Sequence, residues 1–585
     1  MKKPINKKVV KNRKPTNKKV AAKETSVLIP WRYNLILGFI VLALVTLVAR
    51  TAYIQIIEPD QLIQQADMRS VRVKSIPTAR GIISDRNGEP LAVSVPVQAV
   101  WADPATIIKE NGLDELDRWY ALANVLGLDQ KGLVRKLQNN KKKRFIYLQR
   151  QVSPAMSKYV RELKLPGIGL KDESRRFYPS GEVSAHVIGV TGIDGHGLEG
   201  LESSFDNWLT GEAGKRTIRK DRYGRVVENI SLKTQEPGKP LQLTIDQRLQ
   251  AISYRAIKQA VADFRATSGT AVLIDVKSGD ILAMVNAPSY NPNNRAQLQS
   301  FRMRNRAITD SIEPGSTMKP FVMLAALDKG VVDDDTIIDT GNGIMRVGGS
   351  RVRDSALAGK ADLTTILKKS SNVGIATIAL RMDVKDVLGM YSGVGFGNVS
   401  GIQLTGEVTG IFPDRRRWSP FEEATLAFGY GISVTPLQLA HAYATLGNFG
   451  VNMPLHLLKG SESGRSFRAA DADASRKVIN MLEQVTHKGG TATSARVAGF
   501  RVGAKTGTSR KAKAGGYSDQ YVALTAGIAP ISNPRLALVV VVNEPQGDQF
   551  YGGSVAGPVF SEIMKGALQI LNITPDATPE SEKGE

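Results

Sequence analysis

The chain contains no cysteine. That excludes thiol nucleophiles, cysteine-ligated metals and a disulfide framework. Histidine is almost as scarce. His186, His196, His441, His456 and His487 are scattered, and none belongs to the H-E-x-x-H pattern of a helical zinc site. No metal site and no cofactor are therefore expected. Aromatic residues make up 6% of the 585 positions, and none is interleaved within the basic run Lys141-Lys142-Lys143-Arg144. A net charge of +23 makes nucleic acid a partner to consider. Without interleaved aromatics that run reads as a solvated face, and no nucleic-acid partner is expected.

Charge is distributed unevenly. Residues 1–32 hold eleven Lys or Arg and a single acid, Glu24. They are also poor in apolar residues, so they read as a disordered basic tail. Tyr33–Ala49 then carries no charge, and after Arg50 the uncharged run continues to Ile57. A membrane span needs about 20 predominantly apolar residues. Arg50 can snorkel near the end of such a span. No A-x-A-like cleavage site follows, so 33–57 is expected to be an uncleaved transmembrane helix rather than a signal peptide. The basic flank puts the tail in the cytoplasm by the positive-inside rule. Everything after Glu58 is then expected outside it.

At about 100–200 residues per domain, the length implies roughly three domains. Residues 58–235 mix short strand-like runs with many turns. Arg80-Gly81-Ile82-Ile83-Ser84-Asp85-Arg86-Asn87-Gly88 predicts a strand entering an Asn-Gly hairpin. Residues 235–240 read as a linker. From Leu241 the pattern regularises, with Asp246 a candidate helix cap. Thr270–Val276 and Asp280–Asn286 predict a hairpin around Lys277-Ser278-Gly279. Tyr521–Ala529 and Leu536–Asn543 predict buried strands, and Pro558–Leu571 a closing helix. The expected fold is a multidomain α/β chain. Its parts are a basic tail (1–32), a transmembrane helix (33–57), a mixed α+β region (58–235), an α/β domain with a mostly antiparallel sheet flanked by helices (241–572), and a disordered tail (573–585).

Three short motifs carry chemistry. Ser316-Thr317-Met318-Lys319 reads as S-x-x-K at a helix start. Positions i and i+3 share a helix face, so Lys319 can serve Ser316. A serine hydroxyl needs a base, and a lysine is one only when its pKa is depressed by burial or a nearby cation. Ser370-Ser371-Asn372 follows as S-x-N, and Lys505-Thr506-Gly507 as K-T-G. Each alone is an ordinary turn, cap or strand edge. In this order they form the set of penicillin-binding proteins and serine β-lactamases. Ser316 is the expected nucleophile and Lys319 its base. Ser370 and Asn372 would handle the Lys319 ammonium, with Ser370 passing a proton to the leaving nitrogen. Lys505 would help keep Lys319 neutral and attract a substrate carboxylate. Thr506 and Thr508 would offer hydroxyls, and Gly507 close approach. The backbone N–H groups of Ser316 and Thr508 would form the oxyanion hole.

Longer matches make the chain similar to one family. They include 80–88, Glu173-Ser174-Arg175-Arg176-Phe177-Tyr178-Pro179 and 219–225. They continue through Glu313–Pro320, Lys369–Gly374, Phe428-Gly429-Tyr430-Gly431, Lys505–Thr508 and Tyr551-Gly552-Gly553. Over nearly its whole length the chain resembles the FtsI family (penicillin-binding protein 3), the class B division-specific transpeptidases of gammaproteobacteria. The resemblance implies a serine β-lactamase-like transpeptidase domain on a non-catalytic pedestal, anchored in the inner membrane at the septum. It implies a serine D-Ala-D-Ala transpeptidase that cross-links peptidoglycan stem peptides on lipid-linked nascent glycan and is acylated by β-lactams. The implied partners are the glycosyltransferase FtsW and the division proteins FtsN, FtsQ, FtsL and FtsB. A β-lactamase shares the triad but not the pedestal and anchor. An inactive scaffold would not need a complete triad. All assignable chemistry lies after Leu241, so residues 58–235 are expected to be dispensable for acylation.

Overall fold

A computed structural model describes residues 30–578, apart from Glu58, Pro77, Glu115, residues 222–224, Glu462, Ser463 and Ala514. Most of the basic tail, the middle of the 219–225 motif and the last seven residues lie outside the described residues. The chain divides into two compact units, residues 1–74 with 216–232 and residues 75–215 with 233–585.

In the first unit, helix α1 (Pro30–Ala52) continues through a π-helical turn, Tyr53–Ile57. The 28-residue stretch is long and apolar enough to cross a membrane, and none of α1 is buried. At 1.5 Å per residue it is about 42 Å long, against about 30 Å of hydrocarbon. It begins three residues before Tyr33, because proline is tolerated in a first turn whose N–H groups have no helical partner. Helix α2 (Pro59–Ser70) leads into a three-stranded sheet ordered Val71–Ile76, Gly214–Lys220, Val226–Lys233. Arg219, singled out by its motif, bridges Asp67 at 3.1 Å and Glu228 at 2.9 Å. These half-exposed pairs contribute about 0–1 kcal/mol each.

The second unit begins with strands β1 (Ile83–Ser84), β2 (Pro90–Ala102), β3 (Ile146–Val152) and β4 (Ile168–Phe177). The turn joining β1 to β2 holds because the Asp85 carboxylate accepts from the N–H groups of Asn87 (2.7 Å) and Glu89 (2.9 Å). β4 pairs with β2 from Val93↔Phe177 to Ala102↔Ile168. Strand β5 (Leu241–Gln242) pairs with β1 in parallel, Leu241 opposite Ile83. Residues 235–240 are tied down: Gly238 N donates to Ala79 O (3.1 Å), and Lys239 N to Trp208 O (3.0 Å). Ile83, Leu91 and Tyr178 belong to the same hydrophobic cluster as the sheet that follows. Two arginines bind one buried carboxylate, Arg80 Nε–Glu202 Oε2 at 2.5 Å and Arg176 Nε–Glu202 Oε1 at 2.6 Å. Removing one member of such a buried cluster costs about 3–5 kcal/mol. Arg176 therefore has a structural task.

Helix α3 (Gln247–Asp263) is capped by Asp246, whose carboxylate accepts from Arg248 N at 3.0 Å. The central sheet consists of β6 (Ser268–Asp275), β7 (Ile281–Ala287), β8 (Gly503–Lys513), β9 (Gly516–Ala529) and β10 (Leu536–Asn543). Its order is β7-β6-β10-β9-β8, and every neighbouring pair is antiparallel. All of β6, and β10 from Leu536 to Val542, is buried. Both faces must therefore be covered, which is why these strands read as continuous rather than alternating apolar runs. Helix α3 and the last helix, Gly552–Ile570, pack on each other and on the sheet; Pro436–Gly447 packs on β6, β9 and β10. The last helix starts six residues before Pro558, which lies inside it rather than at its start.

Candidate active site

Gly315–Met318 forms a 3₁₀ turn that opens directly into helix α4 (Lys319–Asp328). Ser316 thus sits in the tight turn and Lys319 is the first α-helical residue. The turn is held from below. Tyr443 is fully buried and donates its hydroxyl to Thr317 O at 3.0 Å. Phe321 packs edge-on against the Tyr443 ring (5.4 Å) and the Phe396 ring (5.7 Å). It is held from the side by Gly429, where an added Cβ would lie 2.3 Å from Gly315 O. Only glycine allows that approach at a φ of +83°.

Two lysines are wholly buried beside the turn, Lys319 and Lys505. Lys319 Nζ donates to Ser370 O (2.6 Å), Asn372 Oδ1 (2.7 Å) and Ser370 Oγ (3.1 Å). Lys505 Nζ donates to the same Ser370 Oγ at 2.9 Å and to Thr506 O at 3.2 Å. Sharing one hydroxyl keeps the two nitrogens within about 6 Å, where two buried cations repel strongly. Burial first, and the Lys505 charge second, hold the Lys319 amine well below the usual lysine range, while Asp354 opposes them. Burial alone pushes Lys505 down to about 7. Among the described residues Ser316 Oγ has no hydrogen bond. Lys319 spends all three ammonium hydrogens on Ser370 and Asn372, so it gains a lone pair for Ser316 only by losing a proton. Unliganded sites commonly show such loose nucleophile–base geometry.

The S-x-N segment is shaped by backbone strain. Ser370 has a φ of +57°, which turns its carbonyl onto Lys319. Ser371 caps helix α5 (Asn372–Ala379), accepting from Gly374 N at 2.8 Å. The strand carrying K-T-G, β8, is a sheet edge. A Cβ on Gly507 would lie 2.9 Å from Pro314 O and 2.2 Å from Leu524 Cδ1, so glycine lets the edge lie against the Ser316 turn. Thr506 is buried, and Thr508 accepts from Gly552 N at 2.9 Å through its hydroxyl. The fold thus gathers Ser316, Lys319, Ser370, Asn372, Lys505, Thr506, Gly507 and Thr508.

Sequence reasoning missed Asp354. It follows the hairpin Ile344–Val347 and Ser350–Arg353. Its carboxylate accepts from Ser371 Oγ (2.6 Å) and from Val373 N (2.8 Å). Asn372 Nδ2 donates to Arg353 O at 2.8 Å. The hairpin therefore fixes the orientation of the Asn372 amide, leaving Oδ1 for Lys319. Glu313 lies inside the 313–320 match but was given no role of its own. Burial raises its carboxyl pKa, and it accepts from Gly431 N and Tyr517 Oη, both at 3.3 Å. No motif marks Asp354, a lone acid just after a hairpin.

Comparison with known proteins agrees with this geometry. Residues 269–565 match the penicillin-binding protein transpeptidase domain, and residues 75–243 the penicillin-binding protein dimerisation domain. The peptidoglycan D,D-transpeptidase FtsI of Escherichia coli K12 is 48% identical over 571 residues, 97% of each chain. FtsI of Buchnera aphidicola from Schizaphis graminum is 42% identical over 549 residues, 94% of this chain and 96% of its own. Among solved structures, a peptidoglycan synthetase from Bifidobacterium adolescentis is similar with a TM-score of 0.68 at 27% identity, covering 87% of this chain and 98% of its own. The transpeptidase domain of Burkholderia pseudomallei penicillin-binding protein 3 is 37% identical, with a TM-score of 0.53 over 57% of this chain and 98% of its own. The chain belongs to the FtsI family of penicillin-binding peptidoglycan D,D-transpeptidases.

Proposed function

We propose that this chain cross-links the stem peptides of septal peptidoglycan through an acyl-enzyme on Ser316. The observation that carries the reading is the convergence of two buried lysines on the Ser370 hydroxyl beside the Ser316 turn. In the reaction Ser316 Oγ attacks the carbonyl of the penultimate D-Ala, and its proton passes to neutral Lys319. The N–H groups of Ser316 and Thr508 hold the developing oxyanion, each worth about 10²–10³ in rate. Ser370 relays the proton to the departing D-Ala nitrogen. Asn372 steadies Lys319 and the substrate amide. Lys505, with the hydroxyls of Thr506 and Thr508, holds the terminal carboxylate, and Gly507 gives it room. An acceptor amine then takes the acyl group by the reverse proton path.

Intact-mass measurement after penicillin treatment tests this reading. One adduct is expected, on the peptide containing Ser316, and it should persist for many minutes. An adduct elsewhere, or one hydrolysed within seconds as in a β-lactamase, would refute it.

Asp354 should matter through its grip on the S-x-N segment. Asp354→Ala leaves the fully buried Ser371 hydroxyl without its acceptor and frees the segment that carries Asn372. Losing a charge-assisted buried bond costs about 1.5–3 kcal/mol, and a 1 Å displacement of catalytic groups can cost about 10²-fold. We expect the second-order rate of penicillin acylation to fall about 10- to 100-fold, with a lower melting temperature. A variant that is destabilised yet acylated at the parent rate would confine Asp354 to a structural role.

The same reading assigns residues 33–57 to a membrane anchor, with the basic tail in the cytoplasm and residues 58–585 in the periplasm. A reporter active only in the periplasm, fused after Glu585, should be active, and a cytoplasm-only reporter silent. The reverse result overturns this topology. In this reading residues 58–235 are a pedestal for the catalytic domain at 241–572. FtsW would meet the anchor and pedestal, and FtsN, FtsQ, FtsL and FtsB would act on the same assembly.

A further inference from the structure

A cavity of about 390 Å³ opens between strands β3 and β4 and the segment that follows β7. Four arginines line it: Arg150, Arg175, Arg176 and Arg295, and no aspartate or glutamate does. Their charges are compensated unequally. Arg150 is paired with Glu173 at 3.0 Å and Asp194 at 2.6 Å. Arg176 is paired with Glu202, yet its buried Nη2 makes no hydrogen bond. Among the described residues neither Arg175 nor Arg295 forms an ion pair, although Asp194, already bonded to Arg150, lies near enough to feel the Arg295 charge. Arg175 Nη2 donates only to Asn293 O at 3.4 Å, and Arg295 Nη2 only to Thr191 O at 3.1 Å. Two guanidinium forks from separate parts of the chain are thus left with unused donors around one cavity, beside a third that is incompletely satisfied.

We propose that this cavity binds an acidic peptide segment, with carboxylates on Arg175 and Arg295. Three features favour a peptide. The volume lies in the range that holds a whole small ligand rather than a single ion. Guanidinium forks match carboxylates in a bidentate manner. The side-chain amides of Gln149, Gln151 and Asn294 in the wall can both donate to and accept from a peptide backbone. A phosphate ligand is less well served, since no lysine and no glycine-rich loop lines the cavity. Arg150, Arg175 and Arg176 lie within the part matching the dimerisation domain, and Arg295 within the part matching the transpeptidase domain. A bound segment would therefore touch both at once. The acidic peptide of another protein, docked here, would reach the catalytic domain without approaching Ser316.

Isothermal titration calorimetry on the full-length protein in detergent, at low ionic strength, tests the site with N-acetyl-tetraglutamate amide as probe. Saturable single-site binding is expected. R175Q and R295Q should each weaken it about tenfold, and the double variant about a hundredfold, as expected for losing one charge-assisted contact each. The R175K/R295K variant keeps both charges but loses both forks, so it should recover only part of the affinity. Absence of binding, or binding unchanged in the glutamine double variant, overturns the proposal. Full recovery by lysine reduces it to diffuse attraction and overturns the fork assignment. Inorganic pyrophosphate competing more tightly than the peptide overturns the peptide class. Near-ultraviolet circular dichroism checks that the variants are folded. Should the double variant unfold, R295Q alone decides, because Arg295 is exposed.

Discussion

Ser316→Ala should lose covalent labelling by fluorescent penicillin altogether, and should melt within about 2 °C of the parent. The two halves of this expectation have different causes. Removing the nucleophile from a serine acyl-transfer site costs on the order of 10⁶ in rate, and the other hydroxyl beside the two buried lysines, Ser370 Oγ, is already occupied in accepting from both ammonium groups. The stability half follows from the surroundings of Ser316. Its side chain is half-buried and its hydroxyl has no hydrogen bond among the described residues, so alanine leaves no orphaned partner. The turn itself is set by Gly315, Gly429 and the Tyr443 bond to Thr317, which the substitution leaves in place. Gel fluorescence and a thermal melt of the detergent-solubilised protein read both. Residual labelling at the same peptide, or a collapse in melting temperature, would show that Ser316 does something other than attack.

The contrast between Ser316 and Asp354 shows what could be read from the chain in advance. Ser316, Lys319, Ser370, Asn372 and Lys505 each lie in a short motif whose residue types are fixed by the chemistry, so they are visible without a structure. Asp354 acts through a hairpin that meets the S-x-N segment only in three dimensions, 17 residues from Ser371 along the chain. The central sheet was equally legible, because β6, β9 and β10 are long apolar runs. The short β5 was not. Two residues, Leu241 and Gln242, pair with Ile83 and Ser84, and so short a strand has no periodicity to detect. That pairing matters for function. With Ile83, Leu91 and Tyr178 in the core shared with the central sheet, deleting residues 58–235 would strip apolar cover from the catalytic fold. Dispensability for acylation is thus better tested by surface charge changes than by truncation. The arginine-rich motifs separate in the same way. Arg176 and Arg219 are engaged in ion pairs, while Arg175 is not.

Lys319→Arg should be almost as damaging as Lys319→Ala, each lowering the second-order rate of penicillin acylation by about 10³-fold, within the range of a lost general base. Arginine keeps the positive charge and cannot release a proton in a protein. The variant therefore separates a base from a fixed cation. The parent's pH profile carries the same information. In the proposed mechanism acylation needs Lys319 neutral, and burial beside Lys505 holds its pKa well below the usual lysine range, which favours the base form relative to an ordinary lysine. In the same proposed mechanism carboxylate capture needs Lys505 charged, and its pKa is depressed to about 7. The charged fraction of Lys505 falls as pH rises through that value. The acylation rate of a carboxylate-bearing β-lactam should accordingly decline on the alkaline side of about pH 7, with apparent pKa values that belong to the coupled pair. Lys505→Arg holds the charge to high pH and should remove this alkaline limb. Because Lys505 is wholly buried, the larger guanidinium will lower the overall rate through crowding. The shape of the profile, rather than its height, is the observable. If Lys319→Arg acylates within about tenfold of the parent, or if the alkaline limb survives Lys505→Arg, the division of labour between the two lysines is wrong.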